Sequence, residues 1–329
     1  MSIGHIRILS CGGTIAGRAA SLSGKAYTAG EMGIAPLLNE IAKAGLSWSV
    51  ETRDISSVGS QDIGWEQWQA LHKAVLEAMN DDTVSGIIIT HGTDTAEETA
   101  LLLDRTLTTP KPIVLVGAMR TSDTLGSDAL RNLANALRVV ADTNSAQRGV
   151  MVVMGDEVHT ARDIRKTATQ GVSAFGSFPR GPLGTVTPSS LDWFMPPHRM
   201  ETTARNSFPQ SLPRVDILYL HAGMDRQPVD AILSTRPEGV VIAGLGQGNA
   251  PTAIIAALAE AVEAGIPVVR ASRVDDGLVD RNVEVNDDAF GFVAARAYNP
   301  QKARILLQLL IAEGHRDMTS LQTAFDQHD

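Results

Sequence analysis

"GIIIT", Gly86–Thr90, followed at once by "HGTDT", His91–Thr95, decides the fold class. The run is apolar and β-branched, with no polar alternation. Such a segment suits a strand covered on both faces, as in the interior of a parallel sheet. Working outward, Ile6–Ser10, Val50–Asp54, Ile113–Val116 and Val150–Met154 read as further strands. Between them lie helical spacings at Trp65–Asn80, with Trp68, Leu71, Val75 and Met79 on one face, at Ala96–Arg105 and at Ser127–Asp142. Strands alternating with helices predict a mostly parallel sheet with right-handed crossovers.

The rhythm breaks at Gly176–Pro213, where "SFPRGPLG", "TPSS", "FMPPHR" and "SFPQSLP" crowd proline together. Proline resists helix and interior strand, so hairpin or irregular structure is expected, running into a linker at 191–213. Alternation then resumes: strand Val215–Leu220, short helix Val229–Ser234, strand Gly239–Ala243, helix Thr252–Ala264, strand Pro267–Ala271, and Pro300–Ile311 as the final helix. The expected architecture is two α/β domains. A larger N-terminal catalytic domain with a mostly parallel sheet spans 1–190, and a smaller parallel-sheet domain spans 214–329. "SLSGKAYTAGEMG", Ser21–Gly33, is polar, carries three glycines and reads as a mobile loop.

Length agrees with two domains, because 329 residues exceed one ordinary core. The 37 acidic against 28 basic side chains give a net charge of −9, which argues against a nucleic-acid partner. No apolar run is long enough to span a bilayer. The opening "MSIGHIRILSCGG" lacks the basic segment and apolar run of a secretory signal. A cytoplasmic location is therefore expected, or a periplasmic one if a leader was removed. The single cysteine, Cys11, allows neither an intrachain disulfide nor a thiolate metal site, and the eight histidines show no metal spacing. No G-x-S-x-G and no G-x-G-x-x-G occurs, so neither a serine elbow nor a dinucleotide site is supported.

In open parallel sheets, ligands bind beyond the carboxyl ends of the strands. Ile6–Ser10 delivers Gly12-Gly13-Thr14 to that edge, and Gly86–Thr90 delivers Gly92-Thr93-Asp94. If these strands are neighbours, two threonines face one crevice. A threonine hydroxyl needs a base to become a nucleophile, and a lysine can serve. Lys166, in "ARDIRKTAT", is the candidate. The bland readings remain open at this point. Gly-Gly-Thr can be a turn, a lysine is usually a solvated charge, Asp94 can cap the next helix, and His91 can be a turn or supporting residue.

The motifs, taken in order, resemble the bacterial-type L-asparaginase family, in style its type II branch. "GGTIAG", Gly12–Gly17, and "THGTDTAEETA", Thr90–Ala100, are similar to the family's two signatures. The likeness continues through "GSQD", "VGAMR", "DIRKT", "GPLG", "PRVDILY", "AGLGQGN", "VVRASRV" and "NPQKARILLQL", spanning nearly the whole chain. It implies an amidohydrolase that turns L-asparagine into L-aspartate and ammonia without a cofactor. Thr14 is then the primary nucleophile and Tyr27 the lid residue that hydrogen-bonds it. Thr93, Asp94 and Lys166 form a second triad. Gly59, Ser60 and Gln61 hold the substrate's α-carboxylate and α-amino group, Asp94 pairs with its ammonium, and the Ala118 carbonyl lies near its amide. Asn249 and Glu284 come from a neighbouring subunit of a homotetramer built from tight dimers. Both ionic contacts suit a zwitterionic substrate.

The chain departs from the family pattern at Cys11, at Thr121 and in "LGSDALRNL", which puts loop geometry in question rather than the chemistry. Other readings stay in play: a glutaminase-asparaginase that also takes L-glutamine, a non-catalytic amino-acid-binding protein, and a subunit of a tRNA-dependent amidotransferase. Asn249 leans toward asparagine, while one methylene discriminates only modestly.

Overall fold

The computed structural model describes residues 4–21, 27–28, 33–46, 48–108, 110–187, 189–197 and 205–327. The chain divides into two compact units, Met1–Ala204 and Arg205–Asp329.

The first unit contains strands β1 (His5–Ser10), β2 (Arg18–Ala19), β3 (Tyr27–Thr28), β4 (Val50–Asp54), β5 (Val84–Thr90), β6 (Ile113–Val116), β7 (Val150–Met154), β8 (Glu157–Thr160), β9 (Ile164–Lys166), β10 (Phe175–Ser177), β11 (Gly184–Val186) and β12 (Leu191–Trp193). Its helices are α1 (Ala35–Lys43), α2 (Trp65–Met79), α3 (Ala96–Thr106) and α4 (Ala129–Ala141). Eight strands form one sheet in the order β12-β11-β8-β7-β6-β5-β1-β4. The five from β4 to β7 are parallel, and β8, β11 and β12 join antiparallel.

The isoleucine run explains the layering. Ile88 points to one face, among Ile8, Val114, Leu133 and Leu137, with α1 and α4 above it. Ile87 and Ile89 point to the other, among Leu9, Leu71, Val75, Ala100 and Leu103, under α2 and α3. All three isoleucines are fully buried, and each contributes about 1.5–3 kcal/mol. Because β5 lies between β1 and β6, the loops after β1 and β5 emerge side by side.

The second unit holds β13 (Val215–Tyr219), β14 (Gly239–Gly244), β15 (Val268–Ser272) and β16 (Val293–Ala294), all parallel and in that order. Helices α5 (Gln227–Ser234), α6 (Thr252–Glu263), α7 (Asp287–Phe290), α8 (Pro300–Ala312) and α9 (Met318–Asp326) accompany them.

Two expectations need correction. The expected linker at 191–213 begins too early: Leu191–Trp193 pairs antiparallel with β11. Trp193 packs on the sheet core, with the Arg148 guanidinium 3.8 Å from its ring centroid. The helix at 300–311 is not the last, because α9 follows, its N-terminus capped by Asp317 accepting from Ser320 N. Lys166 ends strand β9, which pairs with β10. Of the expected loop Ser21–Gly33, residues 22–26 and 29–32 lie outside the described residues; Tyr27–Thr28 pairs with Arg18–Ala19.

Candidate active site

Four segments converge on the Gly92-Thr93-Asp94 loop that follows β5, beyond the carboxyl ends of β1, β5 and β6. The first is Gly12-Gly13-Thr14, where Gly13 has φ 81° and ψ 178° and Thr14 opens a one-turn 3-10 helix. That backbone region is almost exclusive to glycine. A Cβ on Gly13 would stand 2.4 Å from the Gly92 nitrogen, so the two threonine loops press backbone against backbone. Thr14 and Thr93 are both buried, at 7% exposure each.

The second segment is Gly59-Ser60-Gln61. Ser60 is buried, its Oγ accepts from Asp94 N at 3.2 Å, and its carbonyl accepts from Thr95 Oγ1 at 2.8 Å. Gln61 is exposed and its amide donates to Asp62 at 3.0 Å. A Cβ on Gly92 would meet Ser60 Oγ at 2.6 Å, so this turn also packs tightly on the Gly92 loop.

The third is Gly117-Ala118 after β6. A Cβ on Gly117 would meet the His91 carbonyl at 2.8 Å and Thr93 Cγ2 at 3.1 Å. The buried Asp128 carboxylate accepts from Met119 N and Arg120 N, both at 2.9 Å. Asn132 Nδ2 donates to the Gly117 carbonyl at 3.0 Å. These bonds fix the backbone on either side of Ala118, within the loop where the sequence departs from the family pattern.

Lys166 is the fourth contributor. Its Nζ donates to Thr93 Oγ1 at 2.9 Å and to Asp94 Oδ1 at 2.6 Å. The Lys166 side chain is 19% exposed and that of Asp94 58%, so the pair joins the protein interior to an open crevice. Asp94 does not cap α3. Thr95 holds the N-cap position, and the Asp94 carboxylate turns to the lysine instead. An amine in contact with a hydroxyl can take its proton, and a carboxylate beside both holds them in register.

A chain of polar groups under the Thr93 loop has a fixed direction. Trp68 Nε1 can only donate, and it donates to Thr99 Oγ1 at 2.8 Å. Thr99 Oγ1 lies 2.9 Å from His91 Nε2, and His91 Nδ1 lies 2.7 Å from the Gly92 carbonyl. The carbonyl must accept, so His91 carries its proton on Nδ1 and Nε2 accepts from Thr99. Burial lowers the His91 pKa to about 4, which keeps the ring neutral. Burial likewise pushes the Cys11 thiol up to about 12, so it stays protonated beside the Gly-Gly-Thr turn.

The structure thus brings Thr14, Gly59, Ser60, Thr93, Asp94, Ala118 and Lys166 to one sheet edge. The Tyr27 side chain lies outside the described residues. Its strand β3 pairs with β2, and there Ala19 N donates to both oxygens of Asp123, at 2.9 and 3.1 Å. Asn249 and Glu284 lie in the second unit, where Asn249 Nδ2 donates to Glu284 Oε2. The buried Arg270 guanidinium grips both neighbouring loops. It donates to Asp287 and to the carbonyls of Gln247, Gly248 and Asp280. Sequence reasoning missed Asp128, Asn132, Thr99 and Trp68 as supports. An aspartate at the start of a helix was the one available signal, and it fell inside the expected helix Ser127–Asp142.

Among the described residues, no helix is long and apolar enough to cross a membrane, and no three His, Cys, Asp or Glu are grouped to hold a metal ion. Comparison with known proteins supplies the family. Residues 5–199 match the model "Asparaginase, N-terminal", and residues 214–325 match "Glutaminase/Asparaginase C-terminal domain". The chain is 39% identical to L-asparaginase 2 of Escherichia coli (strain K12), covering 100% of this chain and 94% of that protein. It is 40% identical to a probable periplasmic L-asparaginase of Haemophilus influenzae, covering 98% and 92%. It is 35% identical to a glutaminase-asparaginase of Pseudomonas fluorescens biotype A, covering 98% and 90%. With both domain models matched in order and relatives aligned end to end, the chain belongs to the asparaginase family of amidohydrolases.

Proposed function

We propose that this enzyme is an L-asparaginase that hydrolyses L-asparagine to L-aspartate and ammonia through an acyl-enzyme on Thr14. The observation that carries the reading is Lys166 Nζ at 2.9 Å from Thr93 Oγ1 and 2.6 Å from Asp94 Oδ1, beside the loop that bears Thr14. Thr14 Oγ attacks the side-chain amide carbon, with Tyr27 hydrogen-bonded to it. The tetrahedral intermediate collapses with loss of ammonia, and water then cleaves the Thr14 ester to aspartate. Thr93 and Lys166 move the proton, and Asp94 holds them aligned. Gly59, Ser60 and Gln61 receive the α-carboxylate and α-amino group, Asp94 the ammonium, and the Ala118 carbonyl the amide nitrogen. The first unit carries this machinery. Asn249 and Glu284 of the second complete the site of a neighbouring subunit in a homotetramer of tight dimers. No cofactor takes part.

A second reading, dual specificity for L-glutamine, draws support from relatives whose names are glutaminase-asparaginase. Ammonia release from L-asparagine, L-glutamine and their D-forms, by wild type and Thr14→Ala, separates the cases. The proposal expects the highest kcat/KM on L-asparagine and loss of release in Thr14→Ala. Equal specificity constants for both amides would replace it with the dual enzyme. No release by wild type would replace it with an amino-acid binder.

A further inference from the structure

Lys166 sits at the end of a weak element. Strand β9 has three residues, pairs only with the three-residue β10, and lies outside the eight-stranded sheet. A two-stranded ribbon of this size has little stability of its own. Yet Lys166 must hold its Nζ at hydrogen-bond distance from Thr93 Oγ1 and Asp94 Oδ1.

Side chains alternate along a strand, so Ile164 and Lys166 share a face. Ile164 is fully buried, in the core cluster that includes Ala100 and Leu103 of α3, and it anchors that face. The other face carries Arg165, buried with its guanidinium 5.8 Å from the Phe178 ring centroid, and the entry to β9 is held at Asp163, which is 1% exposed. Four hydrogen bonds meet there. The Asp163 N–H donates to Thr160 Oγ1 at 3.0 Å, and the Asp163 carbonyl accepts from Phe178 N at 3.0 Å. The carboxylate accepts from Arg180 Nε at 2.8 Å and Arg180 Nη2 at 2.9 Å. Two parallel bonds from a planar fork fix both distance and orientation. Without the guanidinium, the buried carboxylate loses this bidentate charge partner. The carboxylate stands roughly 10 Å of extended strand from Lys166, by the rise of about 3.3 Å per residue, so it touches no reacting atom.

We propose that the Arg180–Asp163 pair is the positioning element that sets the register of Lys166 against Thr93 and Asp94. It acts through the backbone of β9, and its two residues contact neither substrate nor the proton being moved. The proposal rests on the reading of Lys166 as part of the catalytic machinery. It identifies Arg180 as a residue whose loss lowers turnover through geometry.

The test is steady-state ammonia release from L-asparagine by the full-length enzyme, comparing wild type, Arg180→Gln, Arg180→Lys and Lys166→Met, with melting followed by circular dichroism. Arg180→Gln should lower kcat on the order of ten- to a hundred-fold, the scale of an ångström-level misplacement, with KM within about three-fold. Arg180→Lys keeps the charge and loses the fork, so it should recover part of that kcat. If Arg180→Gln does not fold, Arg180→Lys decides alone: a reduced kcat supports the proposal and a wild-type kcat overturns it. A folded Arg180→Gln with a lower melting temperature and unchanged kcat per folded molecule also overturns it, because the pair is then only structural. Failure of the underlying reading looks different. Wild type would release no ammonia, or Lys166→Met would turn over normally.

Discussion

Gly13→Ala offers a direct test of how closely the two threonine loops must approach. The added Cβ would lie 2.4 Å from the Gly92 nitrogen and 2.6 Å from its Cα, where ordinary contact begins near 3.4 Å. Backbone atoms cannot rotate out of the way as a side-chain tip can. The loops must separate by about 1 Å, the scale of displacement that can cost about a hundred-fold in rate. The conformation at φ 81° and ψ 178° adds about 1–3 kcal/mol of strain for any residue other than glycine. A matched control is Gly45→Ala, just past α1, where φ is +80° and nothing lies within 4 Å of the new methyl group. It should cost about 1–2 kcal/mol of stability for the left-handed backbone alone and leave kcat unchanged. Both variants are measured for ammonia release and for urea midpoint. The expected outcome is a larger destabilisation in Gly13→Ala, which must also part the two loops, with kcat lowered on the order of a hundred-fold in Gly13→Ala only. A folded Gly13→Ala with kcat within three-fold of wild type would refute the claim that the loop contact sets the chemistry.

Two further outcomes follow from buried titratable groups. Burial holds the folded His91 pKa at about 4 against the ordinary imidazole value of 6.5, so between those values the unfolded chain binds the extra proton. Stability should therefore fall as pH drops from 6.5 to 4, by about 3 kcal/mol from this group, and His72, lowered by burial, acts in the same direction. Urea unfolding at pH 7, 6, 5 and 4 checks this; stability that is flat down to pH 4 would contradict a neutral buried His91. Cys11, buried and with its thiol pushed up to about 12, should resist iodoacetamide and aromatic disulfide reagents at pH 8 in the native protein and react in urea. Fast modification without urea would show that the turn beside Thr14 opens.

The parallel core was readable because its signal is local. Three consecutive isoleucines in β5 serve two faces at once, and the strand–helix rhythm fixes the rest. The antiparallel side was not. Strands β9 to β12 have three residues each, too short to show a period, and proline-rich neighbours masked them. In β8, His159 is fully buried, which breaks the apolar pattern. The crevice was legible as two glycine-threonine turns, but composition alone left Lys166 a surface charge. Its contact with Thr93 spans 73 positions, and the resemblance to the asparaginase motifs was needed to pair them. The supports at Asn132 and Arg180 have no local signature. Their partners are chosen by the folded backbone rather than by spacing.

The guanidinium of Arg270 preorganises a surface of the second unit. By tying Gln247 and Gly248 to Asp280 and Asp287, it draws together two loops more than thirty positions apart, and the Asn249–Glu284 hydrogen bond forms inside a single chain. In the homotetramer proposed above, the ordering entropy of that surface would be given up when the second unit folds, before any subunit contact. A partner would dock on a preorganised patch, with less conformational freedom left to lose on association.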